Sequence, residues 1–200
     1  MMSLIGISSI AKLVERGITD PSILLEEADE EVKKVLSQSQ TNIQDTLEMI
    51  ICCLDSEANI LTFASAMRPL YFWDGQAIQT LPGSCFPVGG TLHEHKRFIN
   101  QTLTLKPNDC LYLTSDGLSD QFGGTGAKPK RMGRKMFLEV LSHFSQSPFN
   151  QRASQLSYLF QEWKGNENQT DDIVCLMLEY KGGENIQSAA ALTAALLEND

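Results

Sequence analysis

The sequence predicts an α/β chain of the α+β kind: helices first, then a run of antiparallel strands and hairpins, two further helices and one returning strand. Two observations carry this expectation. Apolar residues recur at helical spacing over 3–36, change to strand-like runs punctuated by turn dipeptides over 47–115, and return to helical spacing over 134–163. Strands and helices do not alternate in the middle of the chain, which argues against a doubly wound parallel sheet. The sequence contains no internal repeat.

The elements follow in order. Residues 3–16 carry Leu4, Ile7, Ile10, Leu13 and Val14 at helical spacing, and Gly17 fits the stop. Thr19-Asp20-Pro21 reads as a cap with proline in the first turn of a second helix over 22–36. Its acids crowd the early half and Lys33-Lys34 the later half, in accord with the helix dipole. Residues 37–42 are polar and read as a loop. The continuous apolar run 47–54 predicts a buried strand, 55–59 a turn, and 60–65 a second strand. Asp74-Gly75 joins 70–73 to 76–81 as a hairpin. Residues 98–105 alternate, 106–109 turn, and 110–115 form a strand. The glycine-rich stretch 117–133 reads as an exposed, mobile loop, followed by helices over 134–144 and 150–163, a polar loop over 165–170 and a strand over 173–180. Gly182-Gly183 closes the domain, and the alanine-rich tail that follows reads as a helix or a disordered end.

Composition narrows the function classes. The chain has 200 residues, of which 42% are hydrophobic, enough for a packed core. No apolar run reaches the ~20 residues of a membrane span, and the N-terminus lacks a basic region and a cleavage site. A net charge of −9 disfavours nucleic acid. The one basic cluster is Lys128, Lys130, Arg131, Arg134 and Lys135. The five cysteines are odd in number and form no C-x-x-C pair; Cys52, Cys53, Cys110 and Cys175 lie in apolar runs and read as buried, reduced thiols of a cytoplasmic protein. His93-Glu94-His95 reads as a surface loop and His143 as a helix-surface residue.

Two motifs can carry chemistry. In Leu111-Tyr112-Leu113-Thr114-Ser115-Asp116-Gly117 an apolar strand ends on a carboxylate beside a glycine that permits a sharp turn. Such an acid suits a hard divalent cation, which prefers oxygen donors. In Thr170-Asp171-Asp172-Ile173 two acids open a strand. If the two strands are antiparallel neighbours, Asp116 and Asp171 converge.

Five segments, in order, resemble the SpoIIE-like branch of the PPM-type serine/threonine protein phosphatases. They are Met2 to Gly6, Leu61 to Tyr71, Pro87-Val88-Gly89-Gly90, Ser115-Asp116-Gly117-Leu118-Ser119-Asp120-Gln121-Phe122-Gly123-Gly124, and Gln169-Thr170-Asp171-Asp172-Ile173. The resemblance implies a sandwich of two antiparallel sheets flanked by helices. It also implies a bacterial signalling phosphatase that hydrolyses phosphoserine or phosphothreonine with water activated by Mn²⁺ or Mg²⁺. Asp116 and Asp171 carry over as metal ligands, with Gly117, Asp172 and Asp120 beside them. Arg68 and Arg131 are candidates to contact the substrate phosphate. The implied partner is a phosphorylated regulatory protein, such as an anti-sigma-factor antagonist; a preceding sensory or receiver domain and a homodimer are further expectations. The family's earlier acid motifs have no counterpart in this sequence. Val174 replaces a family threonine, and Asp45-Thr46-Leu47-Glu48 stands where relatives show D-G-M-D. The expectation is therefore an N-terminally incomplete phosphatase domain over 1–181 with a tail over 182–200. The alternative is a non-catalytic interaction module that keeps the fold without the full metal site.

Overall fold

The structure, a computed structural model, describes residues 2–36, 45–91, 95–126, 128–183 and 186–189. In chain order it contains α1 (Met2–Glu15), α2 (Pro21–Val35), β1 (Thr46–Leu47), β2 (Met49–Asp55), β3 (Ile60–Ala66), β4 (Leu70–Trp73), β5 (Ile78–Leu81), β6 (Val88–Gly89), β7 (Gln101–Thr104) and β8 (Cys110–Thr114). The one-turn helix α3 (Gly117–Asp120), short strands β9 (Phe122–Gly123) and β10 (Lys130–Arg131), helices α4 (Gly133–Ser145) and α5 (Phe149–Lys164), and strands β11 (Cys175–Tyr180) and β12 (Ile186–Ala189) follow. The class is α+β with antiparallel ladders, as the sequence predicts. The chain divides into two compact units, one from residues 1–70 with 81–105, the other from 71–80 with 106–200.

In the first unit a three-stranded sheet has the order β2-β3-β7, and β1 pairs with β6. Ala64 and Ala66 lie two residues apart on β3, and their small side chains let α2 approach the sheet through Leu25, Ala28 and Val32. Asp20 starts α2: its Oδ1 accepts from the backbone N–H of Ser22 (2.9 Å) and Ile23 (3.0 Å), and Pro21 occupies the first turn. Asn100 ties this cap to the approach of β7, its Nδ2 donating to Asp20 Oδ2 at 2.8 Å. Hydrogen bonds from the Ser22 side chain, Asn100 and the Ile23 amide hold the Asp20 carboxyl below its ordinary range. A buried ion pair fixes the other side of α2. Lys96 Nζ donates to Asp29 Oδ1 (2.8 Å) and to the Pro87 and Gly89 carbonyls, while the Gly89 N–H donates to Asp29 Oδ1 at 2.7 Å. Lys33 adds a second ion pair to Asp29 at 2.6 Å.

In the second unit the strand order is β5-β4-β8-β11-β12. Strand alternation sends Cys110 and Tyr112 of β8, Tyr71 and Trp73 of β4, and Cys175 and Met177 of β11 into one core with Phe137, Leu141, Phe144, Leu156 and Phe160 of α4 and α5. Edge-to-face rings lock this layer, Tyr71 on Phe137 at 5.2 Å and Tyr112 on Phe144 at 5.6 Å.

Several expectations are corrected. The run 47–54 is not one buried strand. Glu48 separates β1, which pairs with β6, from β2. β2 is an edge strand of its sheet, so Cys52 and Cys53 are half-buried. Cys110 and Cys175 are buried as predicted, and desolvation pushes the Cys175 thiol up to about 12. α1 presents Ile5, Ser9 and Leu13 inward at four-residue spacing and leaves Leu4, Ile7 and Val14 exposed. The alternating stretch 98–105 contributes a shorter strand because Asn100 is engaged with the α2 cap. The stretch 117–133 is not loop throughout: it contains α3 and the β9–β10 ladder, with residue 127 outside the described residues. Residues 186–189 form a fifth strand against β11, and the rest of the predicted tail, 184–185 and 190–200, lies outside the described residues. The predicted loop 37–42 and His93-Glu94 lie outside the described residues, and His143 is exposed, as expected.

The two anchors of α2 differ in kind, and unfolding in urea ranks them. Asp29→Leu strands a buried lysine and is expected to cost about 3–5 kcal/mol, whereas Asp20→Ala removes one cap and costs about 1 kcal/mol. The folded carboxyl of Asp20 titrates below its unfolded value. Its contribution is therefore complete above the ordinary carboxylate range and is lost as pH falls through the depressed value.

Candidate functional site

β8 and β11 are antiparallel neighbours, with Thr114 opposite Cys175 and Tyr112 opposite Met177. The end of β8 therefore meets the start of β11. Beyond the last ladder pair the contact continues through Ser115. Its N–H donates to the Val174 carbonyl (2.9 Å), its Oγ donates to the Asp172 carbonyl (2.9 Å), and the Val174 N–H donates back to Oγ (3.0 Å). Asp116 follows at once and precedes α3 without capping it through its side chain. Gly117 is buried, and a Cβ there would lie 2.4 Å from the Asp172 carbonyl oxygen and 2.9 Å from Ile173 Cγ1. The absence of a side chain lets the two acid-bearing segments touch.

Asp116 is half-buried; Asp171 and Asp172 are exposed. The Asp172 N–H donates to Asp171 Oδ1 at 2.7 Å, and Gln169 Nε2 donates to the Asp171 carbonyl at 2.8 Å, so the acidic turn carries its own scaffold. Asp120 ends α3 and binds Arg131 of β10, with Nε to Oδ1 at 3.0 Å and a second, shorter contact through Nη2. That pair raises the guanidinium's already high pKa, Asp120 acting first and Asp116 adding to it. The structure thus gathers Asp116, Gly117, Asp120, Arg131, Asp171 and Asp172 into one unit. Arg68 belongs to the other unit, where it forms an ion pair with Glu48.

Gln121 is the residue that sequence reasoning quoted in its motif without giving it a role. It is fully buried. Its Nε2 donates to the Phe122 and Asn168 carbonyls, each at 2.8 Å, and its Oε1 accepts from the Thr170 N–H at 3.2 Å. Its own carbonyl accepts from the Met132 N–H (2.9 Å) and from Trp163 Nε1 (3.1 Å). One amide side chain thereby joins α3, the β9–β10 ladder and the turn that carries Asp171. The Gly124 N–H closes the same region by donating to the Trp163 carbonyl at 2.7 Å. Lys130 sits 5.9 Å from the Trp163 ring centroid. The signal available in the sequence was a glutamine followed by Phe-Gly-Gly, a polar residue entering an apolar step.

The donor chemistry suits a hard cation: carboxylates at a strand end, with the hydroxyls and carbonyls around them already satisfied. The number of donors does not make a binuclear centre. Among the described residues no group of three or more His, Cys, Asp or Glu side chains is placed to hold a metal ion. Two carboxylates and solvent are the usual complement for one Mg²⁺-like ion, and no hydrolytic step follows from the described side chains alone.

Comparison with known proteins agrees with this fold. The profile of the Stage II sporulation protein E (SpoIIE) family matches residues 1–181, and the chain belongs to that family. The SiaA-PP2C domain of Pseudomonas aeruginosa superposes with a TM-score of 0.78 at 26% identity, over 90% of this chain and 69% of that one. The RsbU and RsbW domains of Rv1364c from Mycobacterium tuberculosis give a TM-score of 0.65 at 16% identity, over 92% of this chain and 46% of that one. The PP2C phosphatase domain of SpoIIE from Bacillus subtilis, with a fragment of its regulatory domain, gives 0.63 at 18% identity, over 94% and 50%. The chain thus spans about half the length of the latter two. No curated protein matches the sequence.

The close approach at Gly117 predicts a selective effect. Gly117→Ala is expected to cost about 1–3 kcal/mol in thermal or urea unfolding and to speed amide exchange at Asp172. Gly126→Ala, where the nearest atom to an added Cβ is 3.7 Å away, should be close to neutral.

Proposed function

We propose that this domain is a Mn²⁺- or Mg²⁺-dependent protein phosphatase of bacterial signalling, acting on phosphoserine or phosphothreonine in a regulatory protein such as an anti-sigma-factor antagonist. The observation that supports it most directly is the joining of the Asp116 and Asp171 segments at the paired ends of β8 and β11. In this reading Asp116 and Asp171 hold the ion. A divalent ion so bound lowers the pKa of water and neutralises phosphoryl oxygens. Ser115 and Gly117 set the separation of the two acids by fixing the backbone between them. Asp120 orients Arg131 at the rim, where a guanidinium is suited to a phosphate oxygen. Asp172 contributes through its backbone, as acceptor to Ser115 and donor to Asp171. A sensory or receiver domain ahead of the phosphatase belongs to the same proposal.

One observation favours a second reading, a non-catalytic binding module: the described side chains do not assemble a three-ligand metal cluster.

Titration calorimetry with Mn²⁺, paired with hydrolysis of a phosphoserine peptide, separates the two. The phosphatase reading expects Asp116→Asn and Asp171→Asn each to weaken Mn²⁺ binding at least about tenfold and to abolish hydrolysis. Equal hydrolysis in both variants would sink it. Retained binding of a phosphorylated partner with no uptake of Mn²⁺ selects the module.

A further inference from the structure

At the end of the second sheet away from Asp116, Arg152 is buried and forms no ion pair among the described residues. It stands in the first turns of α5 and is 6% exposed. Its Nε donates to the Ser147 carbonyl at 2.9 Å, and its Nη1 donates to Cys110 Sγ and to Tyr112 Oη, each at 2.8 Å. These acceptors are neutral. Burial pushes the Tyr112 phenol up to about 12 and raises the Cys110 thiol, so both keep their protons near neutrality. Among the described residues no carboxylate forms an ion pair with Arg152. Of the two buried acids of this end, Glu179 pairs with Lys181 and Asp109 accepts from the Lys106 N–H at 2.7 Å; both also act on the Cys110 thiol, but neither forms an ion pair with Arg152.

The guanidinium's remaining nitrogen, Nη2, has no acceptor among the described residues and is not sealed in by protein. Arg152 lines an open cavity of about 460 Å³, a size that small-molecule sites commonly have. The other walls include Trp73, Gln76, Asn108, Ser145 and Gln146, and none of them carries a charge. α4 ends and α5 begins here, so their helix dipoles oppose one another, and Arg152 is the charged residue of the cavity wall. A buried, permanently protonated guanidinium needs an anion or ordered solvent to offset its desolvation. Amide side chains from three separate segments stand ready to add neutral hydrogen bonds.

We propose that this cavity is a binding site for a small oxyanion, the phosphoryl or carboxylate group of a small molecule, distinct from the acidic end of β8. Five strand residues at about 3.3 Å each place the two ends roughly 16 Å apart. An anion here therefore does not touch Asp116.

The chain's two tryptophans report on the two ends separately, Trp73 in the cavity wall and Trp163 against the Gln121 carbonyl. Indole N–H signals of ¹⁵N-labelled protein are followed during titration with inorganic phosphate and, in a second arm, citrate, with ionic strength held by sodium chloride. The expected result is a saturable shift of Trp73 with at least one of the two anions, the tighter arm identifying phosphoryl or carboxylate as the preferred group. Gln146→Glu adds a repelling charge at an exposed position and should weaken that binding at least about tenfold. Arg152→Lys should weaken it as well. A Trp73 signal that does not move, or an unchanged affinity in folded Gln146→Glu, overturns the proposal. Movement of Trp163 alone also overturns it and places phosphate at the Asp116 end.

Discussion

The constraint on which the candidate site rests is the contact between Gly117 and the Asp172 carbonyl, where a Cβ would come within 2.4 Å. Two strands that pair along their length must separate at their ends, and the backbone groups there lose their ladder partners. Ser115 takes over as the ladder stops. Its hydroxyl gives a hydrogen bond to Asp172 and receives one from Val174, so a single side chain satisfies one carbonyl and one amide. The Asp116 carboxylate follows directly at the strand end, where the sheet fixes its backbone and its side chain does not cap α3. A larger residue at 117 would push the turn of 171–172 away and undo that placement.

Features with local causes were legible in the sequence. Asp20-Pro21 starts α2 because a carboxylate beside a proline meets the unsatisfied amides of a first turn, and the structure shows those bonds. Asp74-Gly75 makes the β4–β5 turn for an equally local reason: Asp74 Oδ1 accepts from the Gln76 and Ala77 N–H groups, both at 2.9 Å, and Gly75 takes a φ of 88°. The neighbouring of β8 and β11 was legible as a condition, since both are apolar runs bounded by acids. The register, Thr114 opposite Cys175, was not, because it depends on packing against α4 and α5.

What escaped the sequence had distant causes. The stretch 117–133 looks like a loop because glycines and polar residues dominate it, yet α3 and the β9–β10 ladder within it are tied together through Gln121 and Trp163, 42 positions apart. A buried amide with its hydrogen bonds satisfied specifies a conformation as firmly as an apolar plug, and composition does not reveal which glutamine plays that part. Residues 186–189 lie along β11 as a fifth strand, a pairing that the four residues Ile-Gln-Ser-Ala do not announce by themselves. α1 offered an apolar stripe through Leu4, Ile7, Ile10, Leu13 and Val14; Ile10 and Leu13 do pack, but beside Ile5 and Ser9, while Leu4, Ile7 and Val14 stay exposed. A helix apolar on two sides leaves its rotation to the surface it meets.

The second unit handles charge differently at the two ends of β8, and the difference follows from burial. At the Asp116 end the acids are half-buried or exposed, so water screens them and their hydrogen bonds serve mainly to fix the turn. At the Cys110 end the guanidinium of Arg152 is enclosed, and the phenol and thiol that meet it cannot ionise near neutrality to balance it. Arginine cannot shed its proton to escape burial as lysine can. Ser147 fixes its Nε from one side and the Phe149 ring lies 5.7 Å from its central carbon. The charge is therefore held in place while facing a cavity, and the strand that joins the ends carries side chains from both environments into one core. Because that core is shared, a change in the hydrogen bonds of Tyr112 bears on the packing of Phe144 and Met177. The partner of Arg152 thus contributes to the stability of the same sheet whose far end positions Asp116.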